Sequence, residues 1–303
     1  MENNYEYIKG VFAIIIASFL WGTTGTVASY SPDVSSLAIG AFSMGIGGVL
    51  LVIVARKKLK ADYKVMLKRP KLLFFGTIFV AIYPLAFYTS MQLSGVALGT
   101  VISIATAPFF AVILECLISK KTISRQWVLS FFFGAVGIIL LVLGKDQSNG
   151  VTYSIHQQSF GIFLGCVAGL AYAGYSWVAK RLIESGVHSQ SSMSGMFGCA
   201  ALLLLPSLWF TGDNLFSSPT NISVSLYMAI IPMFLGYLLF GFGLNSVEAS
   251  KATLITLIEP LVATLLAVII IGEKFKIIGW AGGVLVSLCL VMQTLKPRSG
   301  VAT

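Results

Sequence analysis

The stretch Ala252–Gly272, ATLITLIEPLVATLLAVIIIG, decides how this chain is read. Apart from Glu259 and Pro260 it is apolar or small. It is long enough to cross a bilayer, whose hydrocarbon core asks for about 20 residues. The two exceptions are costly there. A carboxylate at the bilayer centre costs a few kcal/mol. A mid-helix proline deletes one backbone hydrogen bond, at ~3 kcal/mol in a water-exposed helix. Both are tolerable only where the segment faces other helices rather than lipid.

The rest of the chain has the same character. Of 303 residues, 57% are hydrophobic and 10% charged, with mean hydropathy +0.91. A soluble domain carries about 25% charged residues, so this composition cannot cover a soluble surface and reads as a polytopic membrane protein. The net charge of +9 does not point to nucleic acid. Eight Lys/Arg residues fall in ARKKLKADYKVMLKRPK (55–71), which is expected to be a cytoplasmic loop between two apolar runs, with no basic, aromatic-spaced groove beside it. Four cysteines, Cys116, Cys166, Cys199 and Cys289, lie in apolar runs without C-x-x-C spacing, and the two histidines, His156 and His188, lie in polar connections. No metal site, disulfide framework or cofactor is expected. The start, MENNYEYIKG, lacks the basic region of a signal peptide, so the first apolar run is expected to be a retained span.

Ten runs are long enough to span: 9–30, 35–55, 71–92, 95–119, 125–144, 158–180, 189–210, 221–245, 248–272 and 275–295. With the N-terminus inside, seventeen of the twenty Lys/Arg residues fall on the inner side, and only Lys145, Lys274 and Lys276 fall outside. The positive-inside rule therefore places both termini in the cytoplasm of a multi-pass cell-membrane protein.

The chain also matches itself. GVFAIIIASFLWGTTGTVAS (10–29) lies over GIFLGCVAGLAYAGYSWVAK (161–180), putting Trp21 on Tyr172. LSGVALGTVISIATAPFFAVIL (93–114) lies over NSVEASKATLITLIEPLVATLL (245–266), putting Pro108 on Pro260. The unit contains five spans, an odd number, so the second copy inserts upside down. The expected fold is all-α: ten transmembrane helices in two inverted five-helix repeats, 1–147 and 155–296, with a cytoplasmic tail at 297–303. Secondary transporters with such repeats bind substrate near the midplane between the halves.

On LWG (20–22), Pro108-Phe109, AYAGYSWVAKRL (171–182), IEPLVATLL (258–266) and GEKF (272–275), the chain resembles the EamA-type branch of the drug/metabolite transporter superfamily across nearly its whole length. It departs from that family in lacking an Arg early in the second span. It also has Ser119-Lys120-Lys121 where the first repeat would carry Gly-Glu. The resemblance implies a secondary transporter with a small-molecule substrate.

Within that frame, Pro108 and Pro260 are expected to interrupt two matched helices at midplane depth. Glu259, about 12 Å deeper than Lys251 at 1.5 Å per residue, has two readings. One is a packing acceptor for a neighbouring helix. The other is a protonatable group that couples transport to H+ or receives a cation. Trp21, Tyr83, Tyr88, Tyr172, Tyr175, Trp177, Tyr237 and Thr256 lie within spans and are expected to line the cavity with Glu259, since mid-depth Trp and Tyr need a partner for their polar ends. Glu115 is expected to reach the interface or pair with Lys120 or Lys121. Lys180 and Arg181 are expected to be interfacial anchors. No Lys or Arg sits mid-span, which suits neutral, zwitterionic or cationic solutes over phosphorylated ones.

The expected activity is export of small metabolites such as amino acids or amines. The alternatives are a lipophilic-cation (multidrug) exporter or a metabolite importer. No Walker-type motif supplies an ATPase. An enzyme would need clustered His or acids at a membrane face, and a channel would need a filter loop or charge rings. Neither pattern is present in the sequence. The protein is expected to work in the lipid bilayer as a monomer or homodimer.

Overall fold

A computed structural model describes residues 2–144, 154–272, 274 and 276–294. The tail at 297–303 lies outside them, as do Glu273 and Phe275 of the GEKF stretch and Lys145, Lys296 and Arg298 of the charge count. Ten helices are long and apolar enough to cross a membrane. They are α1 (Tyr5–Ala28), α2 (Ser36–Leu67), α3 (Pro70–Ser94), α4 (Leu98–Leu117), α5 (Arg125–Gly144), α6 (Ile155–Glu184), α7 (Ser189–Thr211), α8 (Pro219–Gly243), α9 (Ala249–Ile270) and α10 (Ile277–Thr294). The described residues contain no strand.

The packing follows the repeat. Helix α2 packs along α7 and α5 along α10, each against its own counterpart, while the α3–α6 contact is mirrored by α1–α8. The halves therefore interlock. One shared core takes Ile14, Met44, Val80, Ala107, Tyr175, Phe197, Phe240 and Ile255 from eight different helices. A second cluster, with Ile104, Ile138, Leu257 and Val286, ties α5 and α10 to α4 and α9. The α5–α10 backbones touch at Gly137 and Gly282. A Cβ on Gly282 would lie 2.4 Å from the Gly137 carbonyl oxygen, closer than any side chain allows.

Two expectations about elements need correction. The basic segment after the second span is helical, because α2 runs on for 32 residues, about 48 Å, well past the ~30 Å hydrocarbon core. A buried stripe at helical spacing, Leu51, Ala55, Asp62 and Met66, continues along α7. Asp62 accepts the His188 backbone N–H at 2.9 Å, just where α7 begins. The cations fall on the opposite, exposed face.

The prolines also behave unequally. Helix α4 runs unbroken through Pro108, since proline removes one hydrogen bond without forbidding the turn when neighbouring helices hold it. Helix α9 does break, ending one segment at Ile255 and starting the next at Ile258. There the Thr256 carbonyl, denied a donor at Pro260, accepts the Glu259 N–H at 2.9 Å. Helix α8 is wound as a π-helix over Ala229–Leu235, around Pro232.

Candidate functional site: an aromatic cavity around Glu259

The α9 break swings Glu259 into a cavity of about 400 Å³ between the repeats. The cavity extends past Ser29, Ser36, Met91, Thr100 and Ala267. Those residues lie at the end of the bundle away from the start of α1. Its deep end adjoins a smaller chamber of about 40 Å³, and the two share Trp21, Thr24, Phe87, Tyr88 and Glu259. Helix α1 can approach this point because Gly22 carries no side chain. A Cβ there would meet Val262 at 2.7 Å and the Glu259 carbonyl oxygen at 3.0 Å.

Most aromatic walls are pinned by their polar atoms. Trp21 Nε1 donates to the Pro232 carbonyl at 2.8 Å, and its ring lies 4.9 Å from Tyr237 and 6.3 Å, edge-on, from Tyr172. Tyr172 donates to Thr256 Oγ1 at 2.8 Å, and that hydroxyl donates to the Thr253 carbonyl at 2.9 Å. The Tyr175 and Tyr237 hydroxyls pair at 3.1 Å. Tyr83 packs 5.7 Å from Tyr172 and 5.9 Å from Tyr175.

Trp21, Tyr83, Tyr88, Tyr172, Tyr175, Tyr237 and Glu259 thus come together around the small chamber. Thr256 sits fully buried behind Tyr172 rather than on the wall. Trp177 is the exception. Two residues beyond Tyr175, it points round α6 toward α4 and donates to Ser119 Oγ at 2.9 Å, away from the cavity. Sequence reasoning missed Phe87 and Thr24, which line both chambers. An apolar aromatic and a short hydroxyl inside a span carry no local signal of that role.

Among the described residues, the Glu259 carboxylate accepts no hydrogen bond and joins no ion pair. The packing-acceptor reading therefore finds no donor. The carboxylate faces the cavity, and among the described residues no Lys, Arg or His lines either chamber.

The other end of the bundle is closed by polar contacts between repeats. Lys121 pairs with Glu184 at 2.7 Å and Glu248 at 2.5 Å. Burial works against its charge, but the hydrogen bonds to the two carboxylates outweigh it and hold the ammonium above its ordinary value of 10.5. Glu115 does not reach the interface or pair with Lys120 or Lys121. It is buried and accepts the Ser250 N–H at 3.0 Å and Oγ at 2.5 Å, capping the free N–H groups at the start of α9. Lys180 is likewise no surface anchor. It is buried and donates to the Leu244 carbonyl at 2.9 Å, at the end of α8.

Residues 8–143 and 159–294 each match the EamA-like transporter family. The chain belongs to the EamA-like transporter family. A relative named as an uncharacterized transporter, YwfM of Bacillus subtilis (strain 168), is 33% identical over 94% of this chain and 93% of its own. An uncharacterized inner membrane transporter, YicL of Salmonella typhimurium, is 24% identical over 96% of each. A crystal structure at 14% identity superposes with a TM-score of 0.77 over 93% of this chain and 95% of that one, which shows a shared fold. This EamA-like chain is thus a multi-pass membrane transporter.

Proposed function

We propose that this EamA-like transporter exports small metabolites such as amino acids or amines across the cell membrane, driven by protons that bind Glu259. The observation that carries the reading is a carboxylate with no partner among the described residues, in a cavity open toward one end of the bundle and closed at the other. The positive-inside rule, with both termini cytoplasmic, makes the open end the external one. Protons from outside then reach Glu259 directly. An unpaired carboxylate in a low-dielectric site is costly until a proton or a cation neutralises it. One group that holds either partner exchanges them, so an inward proton gradient drives solute outward. The cavity lies within a single chain, so a monomer or a homodimer in the bilayer serves equally. The substrate is a small molecule. The reading includes no metal, organic cofactor or nucleic acid.

The test is proteoliposomes loaded with a pH-sensitive dye under an imposed pH gradient. A pool of amino acids and amines is expected to dissipate the gradient with the native chain and not with Glu259→Gln. Equal dissipation by both would sink proton coupling at this residue.

A further inference from the structure

The walls of the cavity say more about its substrate, given the transport role proposed above. Among the described residues, the two chambers present one carboxylate and no basic side chain. The Tyr172 O–H is given to Thr256, Tyr175 and Tyr237 share one hydrogen bond that leaves a single O–H of the pair over, and the Trp21 N–H is given to Pro232. What these residues leave for a ligand is chiefly ring surface, whose negative face attracts cations. The inner chamber, about 40 Å³, exceeds the ~10–15 Å³ that a single water occupies on this measure, so it admits a compact charged head. The outer cavity is ten times larger and mostly apolar, with Met91, Val101, Ile104, Leu141 and Ala263.

We propose that the cavity selects organic monocations. The ammonium of a primary or secondary amine sits against Glu259 and the rings of Trp21, Tyr88 and Tyr172, and its apolar body lies in the outer cavity. A carboxylate on the same solute meets no counter-charge and stands close to Glu259. Of the solutes proposed above, this narrows the class to the amines: zwitterionic amino acids are poor ligands and anions are excluded.

Four molecules of similar shape isolate the charge: 2-phenylethylamine, phenylalanine, 3-phenylpropionate and 2-phenylethanol. Calorimetric titration of the full chain in nanodiscs at neutral pH is expected to show the amine binding roughly tenfold or more tighter than phenylalanine, with no binding of 3-phenylpropionate. Glu259→Gln is expected to weaken the amine by roughly tenfold or more while leaving the neutral alcohol unchanged. Tyr88→Leu keeps an apolar wall and removes one ring face, so it should weaken the amine by a few fold and spare the alcohol.

Phenylalanine binding as tightly as the amine, no amine binding, or amine binding indifferent to both substitutions would overturn the assignment. Counterflow of labelled amine and phenylalanine in proteoliposomes separates this from the transport role. Amine that binds but does not exchange across the bilayer leaves the class standing and removes the transport reading. Exchange of phenylalanine but not of the amine does the reverse.

Discussion

At the residue scale, hydrogen bonds fix the shape of the Glu259 cavity by tying its aromatic walls to neighbouring helices. The Trp21 indole is the clearest case, since its only polar atom donates to a carbonyl in the π-turn of α8. Trp21→Phe keeps most of the ring volume but leaves the Pro232 carbonyl without that donor. It is expected to lower stability by about 1–3 kcal/mol and to slow transport, while Trp21→Ala costs about 3–5 kcal/mol through the void it leaves. Thermal unfolding of both variants in one detergent checks this, and native-like unfolding of Trp21→Phe would show the bond to be incidental. Tyr172→Phe removes one neutral hydrogen bond, and about 1 kcal/mol is expected. Thr256 keeps its bond to the Thr253 carbonyl, so the effect should stop at that pair.

At the scale of elements, the two repeats use their matched prolines differently, and this makes a sharp comparison. Pro260 belongs to a real interruption of α9, whereas Pro108 lies inside a continuous α4. Pro260→Ala restores an N–H for the Thr256 carbonyl and favours a straight α9. It is expected to raise thermal stability and to reduce transport, because the break is what delivers Glu259 to the cavity. Pro108→Ala should leave transport near native. A loss of transport from Pro108→Ala as large as from Pro260→Ala would mean that α4 breaks during the cycle as α9 does. Gly22→Ala forces α1 away from the same point on α9. It should cost about 1–3 kcal/mol by overpacking, read from thermal unfolding, and reduce transport with it.

At the scale of the whole molecule, the open end and the clasped end define one conformation of a two-ended device. The clasp gathers Lys121 and Glu115 from the first repeat and Glu184, Glu248 and Ser250 from the second. The repeat places Leu98 and Ala267 at the positions matching Ser250 and Glu115, and neither side chain can form such a bond. Closure at the opposite end therefore lacks this lock. Lys121→Met is expected to speed hydrogen exchange across the first turn of α9 by a few fold, in keeping with about 1 kcal/mol or less for a partly exposed ion pair. Glu115→Gln should speed it more, because a buried acceptor of two hydrogen bonds is changed. Unaltered exchange in both variants would remove the clasp from any role in closure. The pH dependence has a definite sign. The Lys121 value is raised in the folded state, so its contribution is whole below 10.5 and is lost only as pH climbs beyond it. A pH dependence of transport near neutrality therefore arises elsewhere than at Lys121.

The class of molecule is legible in the order of residues alone: ten spans, two repeats of odd span number and a strong charge asymmetry. These follow from apolar length, internal matching and the placement of Lys and Arg, all of which are local or countable. It also picked out Glu259 and most of the aromatic wall, because polar and amphipathic groups are costly at mid-span wherever they lie. The tertiary structure alone decided what those groups touch. Tyr172 reaches Thr256 and Trp21 reaches Pro232 across 84 and 211 residues of chain, while Trp177, equally conspicuous in sequence, turns away to Ser119. Glu115 and Lys180 looked free to reach the interface, yet they cap the ends of α9 and α8. No local pattern holds that information, because the free N–H and C=O groups of a helix end draw on whichever charge the packing brings to them. The same packing leaves Glu259 facing a cavity with no partner among the described residues, and this too is something a sequence cannot display.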